Sequence, residues 1–210
     1  MKKFELTTEF ITNAFGKKLF RIKALVEFGD VKAGELGGYV EKEGNVSQAD
    51  NAWVYGNAWV SGNARVYGDA RVYGDARVYG DARVCGNARV YGNAWVSGDA
   101  RVYGDAWVYG NAWVYGNAWV CGNARVYGDA WVSGNADYAL VQGFGTEFRC
   151  TTFYRGKNKK IMVNCGCFHG DLEGFRKQVK ETRNGKIAKE YLMIADLMEY
   201  HFTSEDSSNE

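Results

Sequence analysis

The sequence predicts an all-β solenoid, a chain that coils strand upon strand around a narrow core and is closed at both ends. Three observations predict it. Residues 51–134 repeat one six-residue unit fourteen times without a break, from Asn51-Ala52-Trp53-Val54-Tyr55-Gly56 to Asp129-Ala130-Trp131-Val132-Ser133-Gly134. Within each unit Ala and Val alternate with Trp or Arg and then Tyr, Ser or Cys. Strand geometry therefore puts small residues on one face and bulky ones on the other. Each unit ends on Gly followed by Asn or Asp, which suits a tight corner, because Gly reaches positive φ freely and Asn and Asp tolerate the left-handed region.

A corner every six residues excludes both a flat sheet and a helix. The chain has to coil, rising about 4.8 Å per coil. The coil size is open on spacing alone. Twelve residues per coil would align Tyr55, Tyr67, Tyr79, Tyr91, Tyr103, Tyr115 and Tyr127 in an unbroken row. Eighteen would align Tyr55, Tyr73, Tyr91, Tyr109 and Tyr127. The order of Ser, Tyr and Cys recurs every 36 residues, which both periods divide. A six-residue unit turns more easily through about 120° than 180°, so three sides and about 18 residues per coil are expected.

The uninterrupted Val-x-Gly-x-Ala-x pattern resembles the hexapeptide repeat of the left-handed parallel β-helix, the fold of the trimeric acyltransferases. The resemblance implies a triangular coil of three units and a homotrimer. A second likeness is to bacterial and phage proteins in which a Gly-rich lead-in precedes the repeats. Here it is Val31-Lys32-Ala33-Gly34-Glu35-Leu36-Gly37-Gly38, followed by Val46-Ser47-Gln48.

Around the solenoid (51–140) the sequence predicts a β cap and imperfect first coil over 1–50, and a C-terminal α+β cap of ββαα order over 141–202. A disordered tail is expected over 203–210. Phe4–Thr7 and Leu19–Val26 read as a hairpin about Asn13–Lys18, with a loop at Gly34–Gly38 before Tyr39-Val40 opens the first coil. Phe148–Tyr154 and Lys160–Cys167 read as a second hairpin. Asp171 caps a helix through Thr182, Asn184-Gly185 ends it, and a second helix over 186–202 carries Ile187, Tyr191, Ile194, Met198 and Phe202 at helical spacing.

Composition narrows the function. The chain of 210 residues has 26 basic and 25 acidic side chains, a net charge of +1. That balance argues against nucleic-acid binding by bulk charge and against an acidic DNA mimic. No apolar run approaches 18 residues, and the N-terminus does not lead into a signal-peptide core, so a cytoplasmic protein with no membrane partner is expected. The five cysteines then read as thiols.

Four features invite chemistry. Acyltransferases of the resembling fold use a His on or beside a coil as general base, but this chain has only His169 and His201, both after the repeats. Acyl transfer by a degenerate relative is the enzymatic alternative. With the second hairpin centred between Lys157 and Asn158, Cys150, Cys165, Cys167 and His169 share one face, and a four-ligand zinc site can be drawn. The competing reading of that face is core, and no metal or cofactor is expected. The basic loop of Arg155, Lys157, Lys159 and Lys160 reads as a solvated hairpin tip, with binding of a phosphate or a nucleic-acid backbone as its functional alternative. Met193 and Met198 on the last helix read as the inner side of a cap or as a partner face.

The outward face of the coils is the informative part. All seven Trp and nine of the fourteen Tyr lie in the repeats. At 18 residues per coil, Tyr55, Tyr73, Tyr91, Tyr109 and Tyr127 form one ladder. Trp59, Trp95, Trp113 and Trp131 line a second side around Arg77, and Arg65, Arg83, Arg101 and Trp119 line the third. Fully exposed, sixteen aromatics of roughly 150 Å² would present about 2,400 Å². A monomer tolerates an apolar patch of about 300–600 Å². The expectation is therefore a non-enzymatic, homo-oligomeric binding protein, with a trimer favoured. Its partner would be a host-defence protein or a small nucleotide, in keeping with the phage likeness. A polymer-forming structural solenoid is the remaining alternative.

Overall fold

The structure, a computed structural model, describes residues 2–203. Each repeat supplies one two-residue strand, from β4 (Trp53–Val54) to β17 (Trp131–Val132). Each pairs in parallel with the strand three units on, so Trp95 faces Trp113 and Val96 faces Val114. The coil is therefore of eighteen residues and three sides, and the twelve-residue period is excluded. Every Ala and Val of the repeats points inward and is buried. The ladder is sustained by bonds such as Trp95 N–H to the Ala112 carbonyl at 2.8 Å and Ser97 N–H to the Val114 carbonyl at 2.9 Å. It spans two residues per unit because the chain bends into a corner on either side.

The corners are as regular as the strands. Gly80 sits at φ +73°, and a Cβ placed there would lie 3.0 Å from the backbone nitrogen of Gly98 in the next coil. The Asn/Asp position also has an order. One corner column reads Asn51, Asp69, Asn87, Asp105, Asn123. Asn51 donates to Asp69 Oδ1 at 2.7 Å and Asn87 to Asp105 Oδ1 at 2.9 Å. Alternation supplies each carboxylate with a donor and keeps like charges from stacking.

β1 (Phe4–Thr12), β2 (Lys18–Ala24) and β3 (Leu36–Val40) form the N-terminal cap and continue one side of the solenoid as an antiparallel sheet. Tyr39 and Val40 open the first coil by pairing with Trp59 and Val60. The loop expected at Gly34–Gly38 is instead half strand. Gly37 and Gly38 extend through β3 because nothing larger fits: a Cβ on Gly37 would lie 2.6 Å from Ile22 and 2.7 Å from Trp53. Gln48 explains the rest of the lead-in, its Oε1 accepting from Lys3 N–H at 2.8 Å and its Nε2 donating to the Phe4 carbonyl at 3.1 Å.

At the other end, β18 (Tyr138–Phe144), β19 (Arg149–Arg155), β20 (Ile161–Cys165) and β21 (Phe168–Asp171) make an antiparallel sheet in sequence order. Helices α1 (Leu172–Thr182) and α2 (Gly185–Thr203) follow, and Asp171 caps α1 by accepting from Gly174 N–H at 2.9 Å. Two strands thus join the expected pair. β18 continues from the decaying repeat, and β21 is short and holds a Gly. One face of the sheet closes the solenoid through Tyr154, Leu140 and Met162, and the other packs Phe153 and Val163 on the helices. Side chains replace the carbonyls of an absent next coil. Asn135 Oδ1 accepts from Trp119 N–H at 2.8 Å, and Thr152 Oγ1 from Arg125 N–H at 3.0 Å. Thr203 ends α2, and the rest of the expected tail lies outside the described residues.

Candidate functional site

The three sides of the solenoid differ in what they present. On the tyrosine side, Tyr73, Tyr91 and Tyr109 stack with centroids 4.8 Å apart at each step, and Tyr109 and Tyr127 at 4.4 Å. Both ends of this ladder are tied down. The Tyr55 hydroxyl donates to Asp30 Oδ1 at 3.1 Å, and the Tyr127 ring meets the His169 ring edge-on at 4.2 Å. Burial first, then the neighbouring Tyr109 and Tyr73 hydroxyls, pushes the Tyr91 pKa up to about 12. Burial also lowers the His169 pKa.

The tryptophan side runs Trp59, Arg77, Trp95, Trp113, Trp131. Trp95 and Trp113 stack at 4.7 Å and Trp113 and Trp131 at 5.5 Å, while the Arg77 guanidinium lies 4.8 Å from the Trp95 ring. Trp59 is withdrawn from the surface, because Leu19 and Tyr39 of the cap cover it. The outward strip is Trp95, Trp113 and Trp131, of which Trp113 is the most exposed, with Tyr79 and Tyr115 beside them around a shallow hollow of about 300 Å³.

Arg65, Arg83 and Arg101 form consecutive rungs of the third side, above Trp119. Arg101 lies 4.7 Å from the Trp119 ring. No carboxylate pairs with these three arginines among the described residues. Stacking has reduced the aromatic exposure that the sequence implies. Of the sixteen outward rings only Tyr67 (36 %), Trp113 (37 %) and Trp119 (42 %) keep more than a third of their surface exposed.

The zinc geometry does not form. Thr151, not Cys150, faces Cys165, because the hairpin loop is centred on Asn158. A one-residue slip in register moves a side chain to the other face of the sheet. Cys165 therefore packs toward the helices, while Cys150 donates to the Asn123 carbonyl at 3.4 Å on the solenoid side. His169 faces Tyr127, and Cys167 is exposed in the β20–β21 turn. No group of three metal-ligating side chains is arranged for an ion among the described residues. Tyr154, at the same strand parity as Cys150, lies on the solenoid side with it.

The basic loop is partly structural as well. Arg155 Nε pairs with Asp137 at 3.0 Å and Lys160 with Asp171 at 3.5 Å. On α2, Met198 is buried in the cap, whereas Met193, Leu197 and Tyr200 are exposed on the outer face.

One constellation escapes the sequence reading. Arg89, Trp107 and Arg125 are consecutive rungs beside the tyrosine ladder, with each guanidinium 5.0 Å from the Trp107 ring. The 18-residue spacing already aligns them. Their significance comes from Arg149 and Cys150 on β19, which supply a second wall and make the column one side of a groove of about 830 Å³. No helix is long and apolar enough to cross a membrane among the described residues.

The YdcK Beta solenoid repeat family matches residues 58–72, 64–80, 70–84, 82–98, 96–110, 100–116, 106–122 and 118–134. No curated protein matches the chain. The chain is a β-solenoid repeat protein, similar over residues 58–134 to the YdcK β-solenoid repeat.

Proposed function

We propose that this is a non-enzymatic binding protein that self-associates through its tryptophan side as a closed trimer, leaving the other sides for a partner. One observation carries the reading. Below Arg77 the strip of Trp95, Trp113 and Trp131 holds no charged side chain, and its central ring, Trp113, is 37 % exposed. Aromatic strips flanked by uncharged groups suit the desolvated centre of an interface.

The other two sides suit self-packing less. Arg65, Arg83 and Arg101 would bring one cationic column against another surface without a carboxylate to meet it. The tyrosine ladder is occupied at its ends by Asp30 and His169. The trimer is the assembly of the acyltransferases that the repeat resembles. His169 as a general base is disfavoured, since its ring is wedged against Tyr127 and its Nδ1 is 3.4 Å from the Tyr154 hydroxyl.

The likeness of the Gly-rich lead-in to bacterial and phage proteins extends the proposal. On that reading the chain is phage- or prophage-encoded and acts in the cytoplasm of its host, with a host-defence protein or a nucleotide signal as partner. A native mass spectrum of the full chain purified from a bacterial host tests the assembly. Three copies of the 23.4 kDa chain are expected. A monomer at micromolar concentration would refute it.

A further inference from the structure

We propose that the groove between the tyrosine side and the C-terminal sheet binds a small ligand carrying two or more phosphate groups. The groove measures about 830 Å³ and is open to solvent, within the range of small-ligand sites. Arg89, Trp107 and Arg125 form one wall, and Arg149 on β19 stands on the other.

Charge singles the groove out. Arg89, Arg125 and Arg149 have no carboxylate ion pair among the described residues, whereas Arg71 in the same column pairs with Asp30 at 2.8 Å. The one acid lining the groove is Asp105, whose Oδ1 accepts from Asn87 Nδ2 at 2.9 Å. Burial raises the Cys150 pKa, so this thiol adds no negative charge at pH 7. The comparable hollow near the N-terminal cap is lined by two acids, Glu43 and Asp50, as well as by Arg65 and Arg83, so its formal charges balance although no ion pair crosses it among the described residues. A concave surface with three guanidiniums against one carboxylate, in a chain of net charge +1, is a local anion site, not a reflection of overall charge.

Spacing indicates the valence. Both guanidiniums lie 5.0 Å from the same Trp107 ring, on successive coils either side of it, so they stand at most about 10 Å apart. The indole holds them in place and keeps them separate. A single phosphate would satisfy one of them. Two linked phosphates satisfy both, and Arg149 can take a further oxygen. The planar guanidinium fork matches phosphate oxygens two at a time.

The inference is independent of trimer formation, because every lining residue belongs to one chain. Isothermal titration of the full chain with sodium tripolyphosphate, and separately with adenosine triphosphate, tests it at low salt. One saturable site per chain is expected with both. Equal affinities would mean that phosphate alone is read, and tighter nucleotide binding would add a contribution from the nucleoside. Arg125→Gln should weaken tripolyphosphate binding tenfold or more, and Arg149→Gln, on the exposed wall, gives a second arm if the first variant folds poorly. Arg65→Gln, on another side, should leave binding unchanged. No saturation at millimolar tripolyphosphate, or an equal loss in Arg65→Gln and Arg149→Gln, would overturn the site.

Discussion

Trp95 lies flat over Trp113, with ring centroids 4.7 Å apart and planes 4° from parallel. The contact follows from the eighteen-residue coil, which puts residue i+18 one strand spacing above residue i. It also decides how much aromatic surface is left. A ring covered on both faces by its neighbours shows only its edge, so the solenoid carries sixteen outward aromatics and exposes few of them broadly.

The same register governs the corners, where Asn87 sits between Asp69 and Asp105. Asn87→Asp removes the donor that Asp105 accepts at 2.9 Å and stacks three carboxylates. We expect a loss of about 0.5–1.5 kcal/mol at pH 7. Like-charge neighbours raise the new carboxyl's pKa in the folded state. The deficit should therefore be present above the carboxylate range and shrink as pH falls through it, which urea unfolding at pH 7 and pH 4 would show.

Two glycines of identical repeat position should respond differently to alanine. Gly80→Ala forces φ +73° on a residue with a Cβ, 3.0 Å from the next coil's backbone. A cost of about 1–3 kcal/mol is expected. Gly134→Ala sits at φ −153° with nothing near its Cβ position, and thermal unfolding should be nearly unchanged.

Such positions were legible because the repeat is rigidly periodic. Alternation put Ala and Val inside, the corner pairs set the turns, and the three ladders follow from the spacing. The ends were harder to read. Gly37 and Gly38 look like a loop until Ile22 and Trp53 are seen pressing on them. The C-terminal hairpin is offset by one residue from a register centred between Lys157 and Asn158, and that residue separates Cys150 from Cys165. Relations between distant segments, such as the cap over Trp59 or the groove that Arg149 and Trp107 both line, have no local signature at all.

The separation of the cysteines makes a direct prediction. Cys150→Ala and Cys165→Ala should change stability additively, within about 0.5 kcal/mol, because the side chains lie on opposite faces of the sheet. Elemental analysis should show the same metal content in both variants as in the parent. Strong coupling with loss of zinc would restore the four-ligand site.

Lys3 is 4 % exposed, and its ammonium donates to the Asp50 and Ala52 carbonyls at 2.7 and 2.8 Å. Burial lowers its pKa to about 8, with Asp50 opposing the shift. Between about 8 and the usual 10.5 the folded chain holds fewer protons on this group than the unfolded chain. Stability from this residue therefore rises with pH across that window. The parent should gain on Lys3→Met as denaturation is moved from pH 7.5 to pH 9.5, and parallel profiles would contradict the assignment.

Self-association through the tryptophan side is tested most directly by light scattering on paired variants. Trp113→Glu places a charge in the middle of the uncharged strip, and Trp119→Glu places one on the arginine side at a ring that is more exposed. The parent and Trp119→Glu should scatter as trimers, and Trp113→Glu as a folded monomer by circular dichroism. A monomeric parent, or a trimer that survives Trp113→Glu and is lost in Trp119→Glu, would contradict it.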